Sequence, residues 1–592
     1  MDDFVHMIEL PFGELKPTVE FLLGAQNRFE GKQCVKARQG ANIPLVHLQG
    51  ARVEQNIGQH QSVHVQILML VLSGDDENVT AFDRKGLVVH KVHGGAAQDD
   101  HQLIEAVCVQ GKLRLWVADM DLQRQRRIVE IVLLSELCIH GAIMLKNVRI
   151  VKEQRLVPLL WFSRHRKTYR QEIFMSVDKA YKLAKERYAA FGIDTDAAIE
   201  KALKLPISLH CWQSDDVVGF ETKPEGLSGG GIMATGNYPG RANNGEQARA
   251  DLEKTMSLIP GTQRVNVHAC YSETGHYVDR DEIDASCFTK WMDWAKAQGI
   301  CLDFNPTFFA HPKAEDGFTL SSQNDAIRAF WVKHGKACRK IAEAMAEAQG
   351  SPCYVNWWTP DGSKDIPADR WNPRKRMTQS YDEIMSDTSV DKTKCVDFIE
   401  SKLFGIGSEE YVVASAEFCS DYAISRSMGL CLDMGHFHPT ETIHDKISGH
   451  LTFMDKILVH VSRPIRWDSD HVVIFNNDIK NLFLEIQRGN AWDRVVLALD
   501  FFDASINRIG AYVIGTRAAR KGILYALLDP TRQLQDYEKA GRNAQRLALM
   551  EEFKTMPFAA VWDMLCEKAD VPVGAFWIAE MEKYENDVLS NR

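Results

Sequence analysis

Seven side chains of metal-binding type between residues 400 and 500 recur at spacings that one two-metal site would need: Glu400, Asp433, His436, His460, Asp468, Asp470 and Asp500. Five carboxylates and two imidazoles make a hard-to-borderline donor set that suits Mn2+, Mg2+, Co2+ or Zn2+. Each group ends an apolar run or follows one within a few residues, as in the segments VDFIE, LCLD, LVH and LALD. An acid directly after a buried strand is costly unless something neutralises it, and a cation does so. Asp433 and His436 are three residues apart, so one loop can turn the imidazole back towards the strand axis. Asp468 and Asp470 alternate, so both can face one ion. A single DxD is ordinarily a solvated loop, and a single histidine on an apolar strand is ordinarily a hydrogen-bonded core residue. Carried together on four successive strand ends and two of their loops, the seven favour one two-metal site. Lys402 lies two residues after Glu400 and so on the same side of that strand end, where its ammonium can polarise a substrate oxygen without binding metal.

The elements that must position these groups are legible after residue 200. Apolar runs of strand length fall at 207–212, 265–270, 300–304, 353–357, 396–400, 429–433, 457–461 and 495–500. Amphipathic stretches between them predict helices at 246–258, 283–297, 323–348, 381–387, 409–427, 442–454, 480–488 and, capped by Asp503, 504–528. Near-continuously apolar strands alternating with helices imply a parallel sheet covered on its outer face, and eight such units imply an α/β fold, the closed (β/α)8 TIM barrel. A doubly wound open sheet is the alternative; no GxGxxG follows an early strand to support it. In a barrel the chemistry sits at the C-terminal strand ends, where the sequence puts His210, His268, Asp303, Asn356, Glu400, Asp433, His460 and Asp500. The tail reads as helix only, at 534–553, 558–567 and 574–588, for packing or oligomerisation.

The rest of the chain narrows the class. No apolar run among the 592 residues reaches the roughly 20 needed for a membrane helix, and the start is acidic, unlike a secretory signal. Thirteen cysteines without a CxxC pair suggest buried reduced thiols and a cytoplasmic protein. A net charge of −10 argues against a nucleic-acid or anionic-membrane surface. There is a seam near Met175. Residues 1–174 are nearly charge-balanced and show no sustained periodicity, whereas Ser176 is a good N-cap and Tyr181, Ala184, Tyr188 and Phe191 follow at helical spacing. The expected division is an extension over 1–174, a barrel over 175–530 and a helical region over 531–592. The extension is either an appended β-rich module or upstream sequence translated from an early start codon; the second is the expectation.

From residue 175 to residue 592 the chain resembles the L-rhamnose isomerase family of the xylose-isomerase-like barrels. The resemblance is carried by LPISLHCWQ (205–213), ATGNYPG (234–240), FTLSSQND (318–325), ESKLFGIG (400–407), LCLDMGHFHPTE (430–441), HVSRPIRWDSDHVV (460–473) and LDFFDASINRIGAYVIGTR (499–517). It implies an aldose–ketose isomerase with two divalent cations per subunit, Mn2+ foremost, in a cytoplasmic homotetramer. One ion would be held by Glu400, Asp433, His460 and Asp500. The second would be held by His436, Asp468 and Asp470, with Asp433 bridging. Lys402, His268 and Asp500 are the catalytic candidates, His268 as proton relay for opening the sugar ring. Trp358, Phe304 and Trp467 would form an apolar wall against the C6 methyl of a deoxy sugar. A related metal-dependent epimerase or lyase on the same barrel is the alternative.

Overall fold

The computed structural model describes residues 176–221, 234, 236–405, 407–438, 440–463, 465 and 470–592, together with strand segments between residues 6 and 118. Eight parallel strands close a barrel in sequence order: β1 (Ile207–His210), β2 (Gln263–His268), β3 (Cys301–Asn305), β4 (Cys353–Trp358), β5 (Cys395–Glu400), β6 (Gly429–Asp433), β7 (Ile457–Val461) and β8 (Val495–Leu499). Pairing of Ala498 with Ser208 brings β8 back to β1. The (β/α)8 barrel read from the sequence is the fold.

Alternation along the strands sorts the side chains. Val267, Phe304, Val355, Ile399, Leu432, Val459 and Leu499 belong to the large apolar core that includes buried residues of the surrounding helices. Phe398, Cys431, Leu458 and Ala498 form a separate buried cluster, contributed by β5 to β8. These four are the inward-facing layer, and strand periodicity puts the next inward position two residues on. Those positions are Glu400, Asp433, His460 and Asp500. The Phe398 ring claims so much of this space that a Cβ on Gly429 would stand 2.3 Å from its Cδ1, which is why β6 opens on glycine.

One expected strand-end residue sits lower. Asp303 lies inside β3, which runs on to Asn305, and is gripped by Arg264 (Nε to Oδ2 2.9 Å, Nη2 to Oδ1 2.8 Å) and by Ser208 Oγ (2.7 Å). It is a buried structural ion pair, and Asn305 takes the strand-end place beside His268.

The helices depart from expectation where polar or turn residues masked their limits. The helix Trp371–Met385 begins ten residues before its expected start, with Pro373 in its first turn, where a missing N–H costs no intrahelical bond. The stretch expected to be helical from 409 instead opens with Tyr411–Val412, paired antiparallel with Gly362–Ser363, and the helix is Ala416–Ser425. Asn507, not Asp503, caps the helix Arg508–Leu527; the Asp503 carboxylate accepts Ser505 N–H at 2.8 Å in the preceding turn. In the tail, Gly541 at φ +67° divides the expected 534–553 helix into Thr531–Lys539 and Asn543–Phe553. The helix over 176–189 buries Tyr181, Ala184 and Tyr188 as its spacing predicts, whereas Phe191, the fourth residue of that spacing, falls in the turn after the helix and is exposed. Among the described residues no helix is long and apolar enough to cross a membrane.

The chain divides into two compact units, Met1–Arg155 and Leu156–Arg592. The first contains antiparallel strands only among its described residues, five in one sheet and two in another.

Candidate metal centre

At the C-terminal mouth of the barrel, β5 to β8 deliver their last inward-facing side chains to one point. The His460 Nδ1 lies 3.1 Å from Glu400 Oε1, 3.1 Å from Asp500 Oδ2 and 3.5 Å from Asp433 Oδ2. Glu400, Asp433 and His460 are almost wholly buried, and the Asp500 side chain is 17 % exposed. One ligand atom from each of the four falls within 4.8 Å of the others. A second group of the same compactness joins Asp433, His436 and Asp470. Asp433 belongs to both.

Neighbouring residues hold these groups in place. Ser462 Oγ and Gly435 N–H both donate to Asp433 Oδ1, at 2.7 and 2.5 Å, leaving Oδ2 facing the cluster. Asn356 Nδ2 donates to Glu400 Oε2. His436 Nδ1 is 3.3 Å from Glu400 Oε1, and its Nε2 is 3.8 Å from Asp470 Oδ2. A side chain at Gly435 would displace the site carboxylates, since a Cβ there would lie 2.4 Å from Asp470 Oδ1 and 3.1 Å from Asp433 Oδ1.

The electrostatics are those of a site built around positive charge. Burial would raise the Glu400 carboxyl, but the His460 and His436 imidazoles outweigh it and hold Glu400 well below the usual carboxylate range. Burial raises Asp500 to about 7, against the pull of His460. Burial would lower His460, yet Cys431, Glu400 and Asp500 drive its proton affinity well above the ordinary value. The His460 imidazole thus faces three carboxylates, with His436 beside one of them. One Nδ1–H cannot satisfy three acceptors, and Asp433 Oδ2 accepts no hydrogen bond at all. His460 Nε2 also lacks a partner. Buried polar groups left this way are costly unless a cation occupies the cluster, so the residues fit a divalent ion.

The remaining expected residues divide. Lys402 is 6 % exposed, with Nζ 5.1 Å from the centre of the Trp358 ring. Trp358 in turn stacks on His436 at 6.4 Å, so both come to the site. His268 is buried at the end of β2, with Nδ1 3.2 Å from Thr307 Oγ1 and Nε2 3.2 Å from Asn305 Nδ2. Burial, with the nearby Arg280 charge, lowers it to about 3, so it is a neutral imidazole. Phe304 is not brought to the mouth: it faces outward and packs edge-on against Phe288 at 5.1 Å. Its neighbour on the chain cannot share its face, because strand side chains alternate. Phe309, in the loop after β3, lies instead beside the site residues, its ring centre 5.6 Å from that of His268 and 5.8 Å from that of Trp358. Adjacent aromatics in the NPTFF segment are the only sequence signal for it. Trp467 and Asp468 lie outside the described residues.

A family model described as L-rhamnose isomerase matches residues 175–592. An L-rhamnose isomerase of Rhodopirellula baltica is 52 % identical over 417 residues, 70 % of this chain and 97 % of that relative. One from Klebsiella pneumoniae is 52 % identical over 416 residues, covering 70 % of this chain and 99 % of its own length. Among solved structures, an L-ribulose 3-epimerase is 12 % identical with a TM-score of 0.36, over 56 % of this chain and 96 % of that one.

Proposed function

The chain belongs to the L-rhamnose isomerase family through residues 175–592, and from that premise we propose how its own residues interconvert L-rhamnose and L-rhamnulose. The reaction is an aldose–ketose isomerisation: a hydrogen moves from C2 to C1 while a proton moves from O2 to O1. Divalent cations held by Glu400, Asp433, His460 and Asp500, and by His436, Asp468 and Asp470 with Asp433 shared, would supply Lewis acidity at the two sugar oxygens and favour a 1,2-hydride shift. The observation that carries this reading is the convergence of three carboxylates on one buried imidazole nitrogen. Two ions per subunit, with Mn2+ foremost, are what membership of the family implies, and the predominance of oxygen donors suits Mn2+ as it does Mg2+.

The protein groups have separate tasks. The Lys402 ammonium, fixed over Trp358, stabilises negative charge developing at O1. Asp500, the most exposed of the four carboxylate-cluster residues, holds the proton in transit from O2. His268, neutral and oriented by Thr307 and Asn305, relays the proton needed at the ring oxygen when the cyclic sugar opens. Trp358 and Phe309 keep water from the reacting carbons and give the C6 methyl an apolar surface. Catalysis is assigned to residues 175–592, with 531–592 as the packing and oligomerisation region. A homotetramer is what membership of the family implies, and the exposed Leu547 and Phe576 of that tail are compatible with a subunit contact. The ten described cysteines are all free thiols, in keeping with a cytoplasmic enzyme.

Exhaustive chelation followed by an L-rhamnose assay tests the reading. Ketose formation should vanish on chelation and return with Mn2+; undiminished turnover by the stripped protein would contradict it.

A further inference from the structure

The segment that follows β8 begins at Asp500 and is held at several points along its length. Its Phe502 N–H donates to the Asp470 carbonyl at 3.0 Å, so Asp500 of the first group and Asp470 of the second are joined through it. Gln213 clamps Asp503 in both directions: Nε2 donates to the Asp503 carbonyl and Oε1 accepts the Asp503 N–H, each at 2.9 Å. The Ala504 carbonyl accepts the Tyr238 N–H at 2.8 Å. Gly236, at φ +125°, comes so near that a Cβ there would stand 2.3 Å from the Ala504 carbonyl carbon. Residues 500–507 thus form a strap whose backbone fixes where Asp500 and Asp470 stand relative to one another.

The tail fastens the far end of that strap. Tyr238 Oη donates to Glu585 Oε1 at 2.5 Å, and Asn507 Nδ2 donates to Glu585 Oε2 at 2.9 Å. One carboxylate therefore ties the loop after β1 to the residue that caps the helix Arg508–Leu527. Glu585 lies on the helix Trp577–Asp587, and the chain around it has a firm base. Arg592 makes paired bonds to Asp251 (Nη1 to Oδ2 2.7 Å, Nη2 to Oδ1 2.8 Å), and their side chains are 5 % and 0 % exposed. Tyr584 Oη donates to the same carboxylate at 2.8 Å. Leu589 is buried against Gly240, where a Cβ would stand 2.5 Å from the leucine Cβ. We propose that Glu585 is a positioning residue for the isomerisation: through Tyr238 and Asn507 it holds the strap 500–507, and so sets the spacing between the two groups of cation ligands. It touches neither sugar nor cation. Ligands left loose by the loss of an outer support bind metal less well, because the cation must then order them itself. The inference rests on the metal reading of the carboxylate cluster.

Two measurements on the full-length protein test it: titration of the stripped protein with Mn2+, read by the electron spin resonance of the free ion, and amide hydrogen exchange. In Glu585→Ala the weaker Mn2+ position should lose about 10-fold in affinity. Exchange should quicken in 236–242 and 500–507 while β5, β6 and β7 keep the protection they have in the parent. Glu585→Gln should restore both, because its side-chain amide can still accept from Asn507 and donate to the Tyr238 hydroxyl. A Glu585→Ala protein with the Mn2+ affinity of the parent overturns the proposal and leaves the metal reading standing. So does exchange that quickens evenly through the barrel, or a Glu585→Gln protein no better than Glu585→Ala. A parent that binds no Mn2+ overturns both readings.

Discussion

Lys402 illustrates how much depends on single side chains at the mouth. Its ammonium is nearly buried and lies over an indole that also stacks on His436, so it faces the site without belonging to either ligand group. Lys402→Met should therefore lower kcat by about 10²–10³-fold, the usual cost of removing one electrostatic stabiliser, while metal stoichiometry stays unchanged. Metal analysis beside steady-state kinetics checks this, and loss of metal in step with activity would make the lysine a support for the cluster. Glu400, Asp433, His460 and Asp500 stand out in the sequence because each ends or nearly ends an apolar run, and the structure brings the four together. Asp303 and Phe304 could not be placed, because the sequence does not say that β3 extends to Asn305. A strand end displaced by one residue exchanges inward for outward faces, and one displaced by two moves a group down a layer. Phe309 gave almost no signal, since a loop residue has no periodicity to reveal its direction.

The strands themselves carry the next level of the argument. Inward positions two residues apart build the barrel in layers: Phe398, Cys431, Leu458 and Ala498 below, Glu400, Asp433, His460 and Asp500 above. The lower layer excludes water from beneath the charged one and fixes its height. Gly429 is the weak point of that layer, because any side chain there meets the Phe398 ring. Gly429→Ala should destabilise the fold by about 1–3 kcal/mol through overpacking, and the double variant with Phe398→Leu should recover much of the loss. Urea unfolding of the three proteins measures it; equal stability of Gly429→Ala and the parent would mean that the layer yields freely. Strands were legible because their runs are short, apolar and bounded. The helix Trp371–Met385 was legible only in its last third, since Asn372, Pro373 and four basic residues between 370 and 376 conceal its start.

At the scale of the whole barrel, buried histidines make the fold sensitive to acid. Burial lowers His210, His268 and His334 from 6.5 to about 3 each. In the unfolded chain these imidazoles take up protons as the pH falls below about 6.5, whereas in the fold they do not until about pH 3. For these three groups the unfolded state binds more protons in that window, so their contribution to stability declines as the pH drops, whereas the Asp215 and Asp500 carboxyls, raised by burial to about 7, act in the opposite sense. Thermal melts of His334→Gln, whose site lies away from the mouth, should therefore lose less Tm between pH 7 and pH 4 than those of the parent. An equal pH response of the two proteins would contradict the assignment of a neutral imidazole at His334. The overall architecture was readable from the alternation of elements alone.

The central claim is that two cations sit together at this barrel mouth, and anomalous diffraction at the manganese edge from crystals of the Mn2+-loaded protein tests it most directly. The account predicts two peaks, one among Glu400, Asp433, His460 and Asp500, the other among Asp433, His436, Asp468 and Asp470. Peaks elsewhere on the molecule, with none inside this ring of side chains, would contradict it.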